Sequence, residues 1–173
     1  KFFEIFLIFE FRFYFYFVHP ISDGVPLVES KLLNSIMDYI VDNFDLSNVD
    51  KIVGVESMGI PLATALSLKT DIPFVIIRKW SYGLEGEYQV HQQTGYGKSE
   101  LFINNINEND NILLIDDVVS TGGTLKSIIA ALDDIGANLV HIILPIEKDD
   151  GKKIVEEEKK NTLIKEYQTP EFD

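Results

Sequence analysis

Two adjacent carboxylates, Asp116 and Asp117, are separated by Val118-Val119-Ser120 from the run Thr121-Gly122-Gly123-Thr124. Hydroxyls on Ser120, Thr121 and Thr124, joined by backbone amides that Gly122 and Gly123 leave open to close approach, can wrap a phosphate without a lysine. Carboxylates beside that phosphate would repel it. Placed a sugar's width away, they can accept hydrogen bonds from vicinal ribose hydroxyls or hold a hydrated magnesium ion. The chemistry is that of a ribose phosphate site.

The flanking sequence positions these residues. Ile112-Leu113-Leu114-Ile115 reads as a strand buried on both faces, and Leu125, Ile128, Ile129, Leu132 and Ile135 recur at helical spacing until Gly136 supplies a stop. Ser120 to Thr124 therefore occupy a helix N-terminus, where amide hydrogens lack intrahelical acceptors. Neither a Gly-Lys-Ser/Thr of a nucleotide-binding P-loop nor a Gly-x-Gly-x-x-Gly dinucleotide fingerprint is present. Four apolar residues, two acids, three variable residues and Thr-Gly-Gly-Thr resemble the diphosphate-sugar motif of the type I phosphoribosyltransferases.

The rest of the chain alternates in the same way. Leu32, Leu33, Ile36, Met37, Ile40 and Phe44 mark one face of a helix. Strands are expected over 51–55, 73–77, 101–103, 139–144 and around Leu163 and Ile164. Helices are expected over 62–68, opened by Pro61, and over 151–160. Alternating βα units imply an α/β fold with a mostly parallel central sheet flanked by helices, and ligands collect at the carboxyl ends of its strands. Three more segments reach that edge: the turn Glu56-Ser57-Met58-Gly59, the pair Arg78-Lys79, and the Gly-rich stretch 80–100, read as a mobile lid. His91 and His141 have no metal partner at ligand spacing and read as structural.

Composition bounds the partners. A chain of 173 residues fits one domain, and a net charge of −13 without a Lys/Arg-rich stretch argues against nucleic acid. Zero cysteines fit a reducing cytoplasm. The first seventeen residues hold eight of the twelve Phe, with Phe9, Phe11, Phe13, Phe15 and Phe17 alternating, which reads as one strand. Glu4, Glu10 and Arg12 interrupt the run, so a membrane helix, which needs about twenty mostly apolar residues, is not expected. Residues 1–13 form an aromatic extension without an assigned role, and 14–173 a single catalytic domain.

Further residues narrow the resemblance. His19-Pro20-Ile21-Ser22-Asp23-Gly24-Val25-Pro26-Leu27-Val28-Glu29, Met58-Gly59-Ile60-Pro61-Leu62, Thr70 to Ile76 before Arg78-Lys79, and Asp150-Gly151-Lys152-Lys153 to Glu157 are similar to the archaeal hypoxanthine/guanine phosphoribosyltransferases, an adenine-phosphoribosyltransferase-like branch of type I. The resemblance spans roughly 14 to 166. It implies a small N-terminal hood over the purine and a homodimer in purine salvage, converting hypoxanthine or guanine plus 5-phosphoribosyl 1-diphosphate to IMP or GMP plus diphosphate. Under it, Asp116 and Asp117 hold the ribose, and Ser120, Thr121, Gly122, Gly123 and Thr124 hold the 5′-phosphate. Glu56, Ser57, Met58, Gly59, Arg78, Lys79 and Lys98 face the diphosphate, with a cis peptide often found in the first of these loops. Asp117, Lys98 and Tyr96 are the catalytic candidates, and Mg2+ arrives on the diphosphate, with no protein ligand assigned to it.

Three departures from the related families leave the proton-handling residue open. Met58 stands where adenine enzymes carry Arg, Gly95 where they carry Glu, and Ser120 where mammalian-type 6-oxopurine enzymes carry Asp. Adenine or xanthine specificity therefore remains an alternative. A non-catalytic sensor of the sugar diphosphate is another, though such regulators carry a basic DNA-binding domain for which this acidic chain has no room.

Overall fold

The computed structural model describes residues 7–11, 14–94, 97–120, 122–147 and 161–164. Tyr96, Thr121 and the helix expected over 151–160 lie outside the described residues. The aromatic run, read above as one strand, folds back on itself. Strands β1 (Leu7–Phe11) and β2 (Tyr14–Val18) pair antiparallel, Leu7 opposite Val18 and Phe11 opposite Tyr14. Folding back gives the unpaired backbone of one half the other half as its partner. The expected boundary between residues 13 and 14 falls between these two strands.

The connector that follows contains one helical turn, α1 (Pro20–Asp23). Its signals are local: Pro20 sits at the first helical position, His19 accepts the Ile21 N–H at 3.1 Å through Nδ1, and Gly24 closes the turn at φ 69°. Helix α2 (Ser30–Asn43) then buries Met37 and Ile40 on the face its periodicity predicts.

Strand β3 (Lys51–Val55), helix α3 (Gly59–Thr70) and strand β4 (Phe74–Ile77) form a βαβ unit, and the chain next makes an antiparallel hairpin of β5 (Tyr88–Thr94) and β6 (Gly97–Ile103). This differs from the reading of 80–100 as a single lid and of 101–103 as a strand in series with the others. Val90, Leu101 and Ile103 are buried, and β5 packs on the helix after the acidic pair, so the base of the hairpin belongs to the core. Beyond it run β7 (Asn111–Ile115), the two-residue β8 (Val118–Val119), α4 (Gly123–Ile135), β9 (Asn138–Leu144), β10 (Ile146–Glu147) and β11 (Asn161–Ile164).

The central sheet has the order β11-β9-β7-β3-β4, every pair parallel. Its central strand explains the uninterrupted apolar run. Ile112 and Leu114 face α4 and the hairpin, while Leu113 and Ile115 face α2 and α3, and all four are fully buried. No described helix is long and apolar enough to cross a membrane.

Candidate active site

The parallel sheet leaves the carboxyl ends of β3, β4 and β7 side by side, and a cleft of about 540 Å3 opens there. Asp116 and Asp117 form its floor because β7 ends at Ile115 and the two following residues remain tied to the β9 side. The Asp116 amide donates to the Ile143 carbonyl at 3.1 Å, the Asp117 amide donates to Asp116 Oδ1 at 3.0 Å, and the Ile146 amide donates to the Asp117 carbonyl at 3.1 Å. The backbone of both acids and the Asp116 carboxylate are thereby fixed before any ligand arrives.

That position works against charge on the pair. Burial, reinforced by the neighbouring Asp117, pushes the Asp116 carboxyl well above the usual carboxylate range, with Lys79 pulling weakly the other way. Burial also raises Asp117. A raised acid contributes stability that is complete below its unfolded pKa and is lost as pH rises through the folded value. Asp116→Asn, whose side-chain oxygen can still accept the Asp117 amide, should therefore raise Tm at neutral pH, with the gain shrinking as pH falls toward about 4. Thermal melts across that range check this, and a lower Tm at neutral pH would contradict it.

Ser120, Gly122, Gly123 and Thr124 line the cleft beside the acids. Gly122 takes φ 69° as the residue before α4 and, as a glycine, brings no side chain of its own to the start of that helix, where the first amides have no intrahelical acceptor. The first loop supplies Glu56, Ser57 and Met58, and the Glu56–Ser57 peptide is cis, as the family resemblance implies. Gly59 is not among the residues lining this cleft; it permits contact. A Cβ there would lie 3.0 Å from Asp116 Oδ1 and 3.0 Å from the Ile115 carbonyl oxygen, so its missing side chain lets α3 abut the acidic pair.

The two cations at the end of β4 separate. Lys79 lines the cleft, whereas Arg78 does not: its Nε lies 3.2 Å from Glu56 Oε2, and its guanidinium sits 5.6 Å from the Trp80 ring centroid and 5.7 Å from that of Tyr82. Glu56 Oε2 also accepts the Lys79 amide at 3.1 Å, so this carboxylate braces the first loop against β4. The segment leading into the hairpin is organised by Glu87, which accepts from the Tyr82 amide at 3.0 Å, the Gly83 amide at 3.3 Å, Asn104 Nδ2 at 2.9 Å and the Ser81 hydroxyl. Those donors, Asn104 and Ser81 first, hold Glu87 down to about 2. Lys98 falls on β6, its backbone opposite Gln93. Among the described residues no cluster of three or more His, Cys, Asp or Glu could hold a metal. His141 lies apart from the cleft with Nε2 2.8 Å from the Asp45 carbonyl, and His91 sits exposed on β5, 3.6 Å from Glu100.

The sequence reading did not single out Ser22. It reaches the cleft from α1, and Met58 Cε lies 3.8 Å from where a Cβ on Gly24 would stand, so the connector and the first loop meet over the cavity. The signal available was the His19-Pro20 start and Gly24 stop of a helical turn.

Comparison with known proteins gives a consistent picture. The phosphoribosyl transferase domain family matches residues 29–172. A hypoxanthine/guanine phosphoribosyltransferase of Methanothermus fervidus is 57% identical over 155 residues, covering 88% of this chain and 82% of that protein. One from Methanotorris igneus is 54% identical, covering 88% of this chain and 85% of its own. Among solved structures, adenine phosphoribosyltransferase from Saccharomyces cerevisiae, complexed with an imino-altritol bisphosphate and adenine, shares the fold at TM-score 0.67 and 23% identity, covering 78% of this chain and 80% of that one.

Proposed function

The chain belongs to the hypoxanthine/guanine phosphoribosyltransferases, glycosyltransferases of purine salvage built on the phosphoribosyl transferase domain, and from that premise we propose how its cleft divides the substrates. Ser120, Thr121, Gly122, Gly123 and Thr124 take the 5′-phosphate, and Asp116 and Asp117 accept hydrogen bonds from the ribose hydroxyls. Ser57, Met58, Lys79 and, from the hairpin, Lys98 face the diphosphate. The purine lies toward the connector at Ser22. The observation that carries this reading is the acidic pair standing beside the start of α4 in one cleft.

The reaction is substitution at the anomeric carbon: the bond from C1 to the diphosphate oxygen breaks, and the purine N9 bonds to C1 as its proton passes to solvent or to the departing diphosphate. Charge grows on the sugar as the leaving group departs, and two preorganised carboxylates oppose it while Lys79 and Lys98 attract the departing anion. Magnesium, entering on the diphosphate, neutralises part of the leaving group's charge. Asp116 and Asp117 suit such company, because a cation or hydroxyl donors would relieve the burial that raises both. A sugar cation exposed to water would be captured, so closure by the β5–β6 hairpin completes the site.

We read the protein as a cytoplasmic homodimer. The absence of cysteine supports a reducing compartment, and Trp80, Tyr82 and Leu84, exposed at 55%, 56% and 57%, supply apolar surface for association. The substrate assignment predicts that hypoxanthine and guanine are turned over with kcat/KM at least about tenfold above adenine, since a site matched to a 6-oxo ring leaves groups unpaired with a 6-amino one. Steady-state rates with each base check it; adenine turned over equally well would overturn the assignment.

A further inference from the structure

We propose that Ser22 is the residue that distinguishes 6-oxopurines from adenine, its hydroxyl oxygen serving as a hydrogen-bond acceptor because Asp23 holds the hydroxyl hydrogen. The inference rests on the cleft being a purine phosphoribosyltransferase site. Among the described residues, Ser22 is the one lining residue contributed from ahead of β3. The remaining polar lining groups stand at the acidic pair, the glycine loop, the first loop and Lys79 after β4, where the sugar, phosphate and diphosphate go. Among the described residues, Ser22 is thus the polar side chain left for the base.

Its hydrogen-bonding sense follows from its neighbours. A serine hydroxyl has one hydrogen to give. Ser22 Oγ lies 2.7 Å from Asp23 Oδ2 and 3.5 Å from the His19 carbonyl, and a carboxylate at the shorter distance takes the hydrogen. Asp23 Oδ2 is itself held by the His19 amide at 2.9 Å. The His19 Nδ1 accepts the Ile21 amide, and burial lowers the pKa of the ring against the pull of Asp23. What Ser22 offers the cleft is lone pairs. Hypoxanthine and guanine carry a hydrogen on N1, which such an acceptor binds. Adenine carries a lone pair there, which it repels.

The test is binding of GMP, AMP and ribose 5-phosphate to the full chain and to Ser22→Ala, Ser22→Thr and Asp23→Ala variants. Ser22→Ala should weaken GMP about tenfold, the worth of one hydrogen bond at the strong end of the neutral range, leave ribose 5-phosphate within about twofold, and leave AMP bound at least as well as by wild type. Ser22→Thr, which keeps the hydroxyl, should hold GMP within about threefold of wild type. Asp23→Ala frees the hydrogen to point at N1, so the ratio of GMP to AMP affinity should contract about tenfold. GMP binding unchanged in Ser22→Ala, or ribose 5-phosphate weakened in step with GMP, would overturn the proposal. Failure of the wild-type chain to bind ribose 5-phosphate at all would instead overturn the phosphoribosyltransferase reading beneath it.

Discussion

Asp117→Asn leaves the chain folded and lowers kcat/KM by about a hundredfold or more, because a charged acceptor is lost where positive charge develops on the sugar. The folded state carries no debt for the change. Asp117 is held above the usual carboxylate range by burial, so neutralising it should leave Tm at neutral pH equal to or above that of wild type. Activity and stability then move in opposite directions, a result that general damage cannot produce. Kinetics near wild type would show instead that the acidic pair merely ends a strand.

The second large effect concerns a glycine far less conspicuous than those of the phosphate loop. A Cβ on Gly54 would stand 2.8 Å from Ala63 Cβ and 2.8 Å from the Gly59 carbonyl oxygen, both on rigid parts of the β3–α3 unit. Gly54→Ala should cost about 3 kcal/mol, at the upper end of the range for overpacking, and lower Tm by roughly 10 °C for a domain of this size. It should also depress activity, because the first loop and Gly59 beneath Asp116 must shift to make room. Adding Ala63→Gly removes one of the two clashes, so the double variant should regain part of the loss in thermal or denaturant melts. Strict additivity of the two changes would show that the crowding is not the cause.

Where the sequence was informative, a physical constraint left a local trace. The β7 strand had to be apolar on both faces because α4 and the hairpin cover one and α2 and α3 the other, so Ile112 to Ile115 were readable as a buried parallel strand. The acids and the Gly122-Gly123 turn followed at fixed spacing, and the helix after them announced itself through its period. Gly59 was legible as a site-edge glycine but not as the gap that admits α3 to Asp116, since that depends on a contact between segments distant in sequence.

What stayed hidden shares a cause. Residues 80–100 read as a lid but not as part of a hairpin, because glycines and polar side chains dominate, yet Tyr88 and Val90 alternate with Gln89 and His91, and that short period-two signal anchors β5 to α4. Arg78 and Lys79 were indistinguishable as neighbours in sequence. The difference arises from Glu56, which draws Arg78 toward Trp80 and Tyr82 and leaves Lys79 at the cleft. Charge pairing across loops has no periodicity to betray it.

The central claim is that this cleft joins a 6-oxopurine to a ribose phosphate with loss of diphosphate. The most direct measurement incubates the protein with 5-phosphoribosyl 1-diphosphate, magnesium and guanine, and quantifies nucleotide and diphosphate together. The account predicts GMP and diphosphate in equal amounts, with diphosphate release dependent on the base. Diphosphate released without nucleotide, or no reaction from folded protein that binds the sugar diphosphate, would contradict it.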